Sequence, residues 1–351
     1  MKTKRWLLMA AVLLLLLLLG YLQFRTLRSF QWPVLAKVFG SIQWLRVGWA
    51  VVLIYGAYGT RAFRWSVFLR PTKPARAVAL FPSQFIGFTA VAVLGRLGEF
   101  VRPYLIARRQ QITFTSQLAV YAVERVFDLL AAATIIAVTL TVSSSVSALP
   151  HSEEFRRAGY IAMLVSVLLG GVAVVARISG DRLAAASGRA FGWFSRAAGH
   201  FFQEKILAFS HGLDTIGSVG DLLLALFWSF ATWGLIALAY VQVVHAFRIP
   251  ALDSIAPAQT IILMMYSMFG SVLQLPVVGG GSQLATIHAM ISVLGVGAEA
   301  ATACGLLLYL VTFLSVVPAG LLFARAERIS LRKVARSSEM EEETLEKENA
   351  L

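Results

Sequence analysis

The sequence predicts an all-α fold: a polytopic helical membrane bundle of about seven to nine membrane segments, some of them broken or re-entrant. Composition carries the first part of this. Hydrophobic residues make up 58% of the 351 and charged residues 14%, with mean hydropathy +0.75, which lies outside the range of soluble domains. Patterning carries the second. The apolar residues gather in long runs, unlike the alternating ten-residue strands of an outer-membrane barrel. The 31 Lys and Arg residues, which against 18 Asp and Glu give a net charge of +13, flank those runs. That placement fits membrane orientation and contact with anionic headgroups, so no nucleic-acid partner is expected. The one cysteine, Cys304, excludes an intrachain disulfide.

Taken in order, residues 6–22 are an apolar run behind Lys2, Lys4 and Arg5. A signal peptide begins in the same way, but no small-residue cleavage site follows, and the run reads as a retained first helix. Residues 42–58 are the second span. Arg61, Arg64, Arg70, Lys73 and Arg76 follow it and mark the cytoplasm. Residues 77–94 are apolar, interrupted by Pro82 and Gly87, and lead through Gly95 toward Arg108 and Arg109. With basic residues on both flanks, this segment should enter and return, as a re-entrant hairpin or a pair of half-helices shielded from lipid.

Residues 117–142 make a full span, and the polar loop 143–157 reads as external. Residues 158–176 return inward. In 177–220, Arg182, Arg189 and Arg196 recur every seven residues among Leu and Phe, which suggests helices lying at the cytoplasmic interface, or an ordinary hairpin packed on the bundle. Residues 221–246 are another span, with Asp221 as its N-cap. After an external loop at 247–257, residues 258–275 are apolar until PVVGGGSQ interrupts them, and 284–294 and 302–324 complete the apolar material. The segment 1–325 is thus a membrane domain, and the acidic 326–351 reads as a disordered cytoplasmic tail.

Residues 77–142 and 258–324 share one pattern: a broken apolar segment, a polar turn and a full span. The charge distribution enters the first from the cytoplasm and the second from outside. That arrangement is an inverted pseudo-repeat, which places a binding site near the midplane. In the second half Gly279, Gly280, Gly281, Ser282 and Gln283 form the loop ahead of an apolar helix. Its backbone N–H groups suit an anion, or its glycines serve as a packing kink.

The most informative stretch is residues 95–128. Arg96, Glu99, Arg102, Glu124, Arg125 and Asp128 lie there between apolar runs, and each costs roughly 2.5–3.5 kcal/mol at a bilayer centre. Three cations balance three anions, so mutual pairing is expected. Arg96, Glu99 and Arg102 are spaced by three and Glu124 and Asp128 by four, which places each set on one helix face, although Pro103 limits the regularity of the first. Two readings are compatible: a buried salt-bridge network that fixes packing, and a chamber in which guanidinium forks meet a lipid phosphate.

The pattern G-R-x-G-E-x-x-R-P at 95–103, followed by E-R-x-x-D at 124–128, resembles the lysylphosphatidylglycerol synthase/flippase transmembrane-domain family. The resemblance runs from about residue 5 to 325. It implies a lipid-translocation domain without the soluble synthase or glycosyltransferase domain of some members. Gln283 stands where the family usually has an acidic residue, which puts ion coupling in doubt. His288 reads as a packing residue. No metal-ligand spacing, P-loop or nucleophile elbow occurs, so neither cofactor nor enzymatic activity is expected. The expected function is flippase-like handling of an anionic phospholipid or polyprenyl-phosphate-type lipid in the inner (plasma) membrane. The alternative is a scaffold or accessory subunit for a cell-envelope enzyme.

The Lys and Arg distribution yields a topology prediction. Both termini and residues 61–76, 108–113 and 177–220 should be cytoplasmic, with 143–157 and 247–257 external. In a Cys304→Ala background, a cysteine at position 70 should react only with a reagent that reaches the cytoplasmic side. Labelling of that position from outside alone would reverse the scheme.

Overall fold

The computed structural model describes residues 32–193, 195, 196, 199–201, 203, 217–271, 280–330, 334, 337 and 340, without the side chains of 32, 96, 97, 172–178, 180 and 181. The expected first helix at 6–22, Gly279, most of 204–220 and the tail beyond 340 lie outside the described residues. Among the described residues the regular elements are helices, and one isolated antiparallel bridge joins Ile42 to Phe247. In chain order they are α1 (Trp32–Gly40), α2 (Trp44–Phe68), α3 (Ala77–Leu94), α4 (Val101–Gln110), α5 (Phe114–Val142), α6 (Ser144–Ser147) and α7 (Ser152–Gly192). They continue with α8 (Val219–Val244), α9 (Pro250–Asp253), α10 (Pro257–Gly270), α11 (Gly280–Ser292), α12 (Ala298–Tyr309) and α13 (Val316–Ala326). By length and composition, α3, α5, α8 and the stretch Ala298–Ala326 are each able to cross a membrane.

Helix α2 is longer than the expected span. It continues through Arg61 and Arg64 to Phe68, because apolar Trp65, Val67 and Phe68 resume after the arginines and are buried. The arginines therefore belong to the bundle interior, and the basic flank begins at Arg70. Helix α8 packs along α2, with Thr60 and Thr232 hydroxyls 2.7 Å apart and Phe63 stacked on Trp228 at 4.9 Å. The N-cap of α8 is Ser218, whose Oγ accepts from the Asp221 N–H at 3.1 Å. Asp221 sits instead in the first turn, where it receives Arg70 Nη1 at 2.5 Å. This corrects the assignment of the cap and ties the ends of α2 and α8 together.

Two helical hairpins give the fold its character. In the first, α3 ends at Gly95, whose φ of +65° is a conformation that side-chain-bearing residues avoid. A 3₁₀ turn, Gly95–Gly98, then leads into α4, which packs back on α3. Pro103 falls in the first turn of α4, where its missing N–H has no helical partner to lose. The expected face of Arg96, Glu99 and Arg102 on one continuous helix is therefore broken into a turn and a helix. In the second hairpin α10 packs on α11. There a side chain at Gly270 would collide with the Gly281 backbone.

Each hairpin is followed by a long helix, α5 after the first and Ala298–Ala326 after the second. The latter contains a π-helical turn at Leu310–Leu314, closed by Ser315 N–H donating to the Leu310 carbonyl at 2.8 Å. Tyrosines of α2 take carbonyls near it: Tyr55 Oη donates to Ser315 O at 2.7 Å and Tyr58 Oη to Thr312 O at 3.4 Å. Pro318, lacking an N–H, leaves a further gap in the ladder one turn on. Helix α7 packs on α5 and kinks at Ser179 (φ −146°, ψ 45°). Beyond the kink Arg182, Arg189 and Arg196 are exposed while Ala184 is buried and Leu183 packs on the Trp65–Phe127 cluster.

The first hairpin depends on Gly98, where a Cβ would run into the Ala90 carbonyl group and the Val91 amide. Gly98→Ala should destabilise the protein by about 1–3 kcal/mol through overpacking. Gly48→Ala, at a helical position with open space, should stabilise it by about 0.5–1 kcal/mol. Thermal unfolding in detergent distinguishes the two, and equal melting temperatures would remove the close approach from the account.

Candidate functional site

Three helices deliver charge to one place. Arg61 and Arg64 are one turn apart on α2, Glu124 and Asp128 one turn apart on α5. Arg102 projects from the second arm of the first hairpin, and Arg125 is the neighbour of Glu124. Glu124 is fully buried. Its Oε1 accepts from Arg64 Nη2 at 2.7 Å and from Arg102 Nη1 at 3.0 Å, and its Oε2 from Arg102 Nη2. Asp128 accepts from Arg61 Nη1 at 2.9 Å, Arg64 Nη1 at 2.8 Å and, from α8, Trp233 Nε1 at 3.3 Å. Ser229 Oγ receives a second bond from Arg64 Nη1 at 2.7 Å, and Gln84 Oε1 one from Arg102 Nη1 at 3.0 Å.

Arg125 is held differently. Its Nη2 lies 3.0 Å from Asp128 Oδ2 and 3.4 Å from Glu124 Oε2, yet neither Nη2 nor Nε has a hydrogen-bond partner among the described residues. Both atoms are enclosed, so ion pairing with the two carboxylates, without aligned hydrogen bonds, holds Arg125 in place. Aromatic faces line the cluster: Arg102 lies 5.1–5.3 Å from the rings of Trp65, Phe88 and Tyr121, and Arg125 lies 5.0 Å from Tyr121. Such contacts favour guanidinium where water is scarce.

The sequence balance of three against three does not describe this cluster. Arg61 and Arg64 join it, while the Arg96 side chain lies outside the described residues and Glu99 accepts from Tyr121 Oη at 3.4 Å. Four arginines meet two carboxylates, a surplus of two positive charges. Counting Glu99 at the rim, the surplus is one. The apolar residues that resume after Arg61 and Arg64 mark them as lying within a helix, but nothing in the sequence joins them to Glu124 and Asp128. Gln84, Ser229 and Trp233 were legible only from packing.

The cluster borders a cavity of about 290 Å³. Arg61, Arg102, Arg125, Glu99 and Tyr121 line its charged end. Met264, Met268, Trp233, Tyr240 and Phe313 supply apolar and aromatic wall, and Ser267, Ser271 and Ser282 come from the second hairpin. The predicted second-hairpin loop is therefore represented in the lining by Ser282. Gly280 is buried and Gly281 and Gln283 half-buried just beside it in α11. His288 is exposed. Among the described residues no group of His, Cys, Asp and Glu is arranged to hold a metal ion. Charged and apolar side chains thus share the lining of one cavity.

Removing one carboxylate tests the network. Glu124→Ala strands arginines in the interior and should cost about 3–5 kcal/mol. Glu153→Ala, in an exposed pair with Arg156 at 3.4 Å, should change stability by less than about 0.5 kcal/mol. Equal folded yield and melting temperature for both would show that Glu124 does not hold the bundle together.

A family model described as the lysylphosphatidylglycerol synthase TM region matches residues 7–320. No curated protein and no solved structure matches the chain. With its apolar helices of spanning length and the charged motif of residues 95–128, this chain is an integral membrane protein belonging to the lysylphosphatidylglycerol synthase TM region family.

Proposed function

We propose that the protein binds the anionic headgroup of a phospholipid or polyprenyl-phosphate-type lipid in this cavity and moves it between the leaflets of the inner membrane. The observation that carries the reading is the charge surplus beside a cavity: four arginines on two buried carboxylates. A network serving packing alone gains nothing from excess buried cations, because each uncompensated charge adds a desolvation cost. A phosphate completes the balance.

The roles divide by geometry. Arg102 and Arg64 are committed to the carboxylates by aligned hydrogen bonds and position the site. Arg125 and Arg61, both at the cavity wall, meet the phosphate. The two hairpins form facing parts of the wall, and rocking one hairpin-plus-helix unit against the other, in the manner of inverted repeats, would open the cavity to each leaflet in turn. The π-turn and Pro318 give the second unit a place to bend. The chain acts as a carrier, with both termini cytoplasmic and no catalytic step.

Arg125→Gln separates this reading from a scaffold. Because Glu124 and Asp128 keep their bonds to Arg61, Arg64 and Arg102, the loss of Arg125 should cost less stability than Glu124→Ala, while anionic-lipid binding should weaken about ten-fold or more. Arg102→Lys keeps charge but loses the fork on Glu124 and should affect folding more. In proteoliposomes, a labelled anionic lipid should cross faster with the wild type than with Arg125→Gln, and Arg189→Gln should leave the rate unchanged. Wild-type vesicles no faster than empty ones would favour the scaffold.

A further inference from the structure

We infer that the segment beyond the kink of α7 is a membrane-surface anchor. It is a short helical hairpin whose tip, Phe191 and Trp193 between Arg189 and Arg196, sits in the anionic leaflet at the Arg70–Asp221 end of the bundle. By the Lys and Arg distribution that leaflet is the cytoplasmic one. The inference is independent of the cavity and of what the cavity binds.

Close glycine contacts make the hairpin. Helix α7 runs through the kink at Ser179 to Gly192, and the described residues Arg196, Gly199, His200, Phe201 and Gln203 are helical again. A Cβ at Gly199 would stand 2.6 Å from the Gly188 carbonyl oxygen and 2.8 Å from Gly192 Cα, and one at Gly188 would meet the Gln203 side chain. Contacts step backward along one arm as the chain advances along the other, so the arms are antiparallel. The base is fixed to the bundle: Ala184 is buried, and Leu183 packs on the cluster that holds Phe68 and Leu69, as does Leu222. Those residues adjoin Arg70 and Asp221, whose ion pair marks that end of the bundle. The arm 180–192 carries the tip no more than about 20 Å from it.

What the hairpin exposes selects its partner. Phe191, Trp193 and Phe201 are exposed, Trp193 by 88%, and Arg182, Arg189 and Arg196 are exposed with them. From Arg182 to Gln203 the chain contains no Asp or Glu. Arginines and aromatic rings within one short hairpin fit headgroup phosphates with acyl carbon just beneath, the level at which Trp collects. A second copy of the hairpin would set like charge against like. A soluble acidic partner must come from solution, whereas the apolar run 158–176 ends just before the kink and holds the hairpin beside the leaflet at all times.

Full-length protein with Cys304→Ala and Ser195→Cys, Ser195 being exposed beside the tip, is to be spin-labelled at position 195. It is placed in nanodiscs of phosphatidylcholine, alone or mixed with phosphatidylserine. Collisions with oxygen, which concentrates among acyl chains, against collisions with a water-soluble nickel chelate report the depth of the label. In mixed discs oxygen should dominate, and in phosphatidylcholine alone the balance should move toward the chelate. Each arginine near an anionic surface is worth about five-fold in the insertion equilibrium, so Arg182→Gln with Arg196→Gln should lower it about 25-fold in mixed discs. Trp193→Ser should lower insertion in both kinds of disc. A label open to the chelate in mixed discs would overturn the anchor, and insertion unaffected by phosphatidylserine would overturn the part assigned to the arginines. Spin–spin broadening at position 195 without lipid contact would give the surface to a second copy of the chain. The comparison of discs with the arginines and Trp193 intact decides even where the variants fail to fold.

Discussion

Glu124 and Asp128 are taken out of water inside a membrane bundle, and the rest of the architecture follows from what that requires. A buried carboxylate needs cations at hydrogen-bond distance and needs its remaining lone pairs filled. Here three helices besides its own answer that need. Helix α2 brings Arg61 and Arg64, α4 brings Arg102, and α8 brings Trp233 and Ser229, while Gln84 of α3 holds the far side of Arg102. None of these helices moves far without breaking a bond to one of two carboxylates. In an environment where burying apolar surface gives no preference between helix neighbours, such bonds and close packing decide the arrangement.

Close packing does the complementary work. The first hairpin turns at Gly95 and is pressed so tightly that Gly98 meets the backbone of Ala90 and Gly87 the side chain of Arg102. The second hairpin meets backbone to backbone at Gly270 and Gly281. Short interrupted helices leave carbonyls and N–H groups without helical partners, which is tolerable only within protein or beside a cavity. The cavity between the hairpins is where these interruptions converge. The π-turn at Leu310–Leu314 belongs to the same set, its neighbouring carbonyls engaged by Tyr55 and Tyr58.

The excess of arginine over carboxylate joins structure to function. Arg64 and Arg102 are spent on holding the carboxylates. Arg125 lies at the cavity wall, paired with Asp128 at 3.0 Å and Glu124 at 3.4 Å but without aligned hydrogen bonds. One network thus fixes the bundle and leaves positive charge beside the cavity, the charge on which the proposed phosphate site draws.

The sequence by itself determined the class of protein, the order of most helices and the importance of residues 95–128. Apolar run length, Lys and Arg flanks, and six charges in lipid-compatible sequence are local signals that need no partner to be read. It also located both interrupted segments, because glycine and proline act on their own backbone. Membership of Arg61 and Arg64 in the site, the shift of balance from three against three to four against two, and the replacement of Asp221 by Ser218 as cap were decided only by the tertiary structure. An arginine after an apolar run reads as a membrane flank whether it ends a helix or lies one turn before more apolar residues. What distinguishes the two is whether a carboxylate some sixty residues away, Glu124 for Arg64, comes within 2.7 Å. That distance is a property of helix packing, which no local pattern encodes.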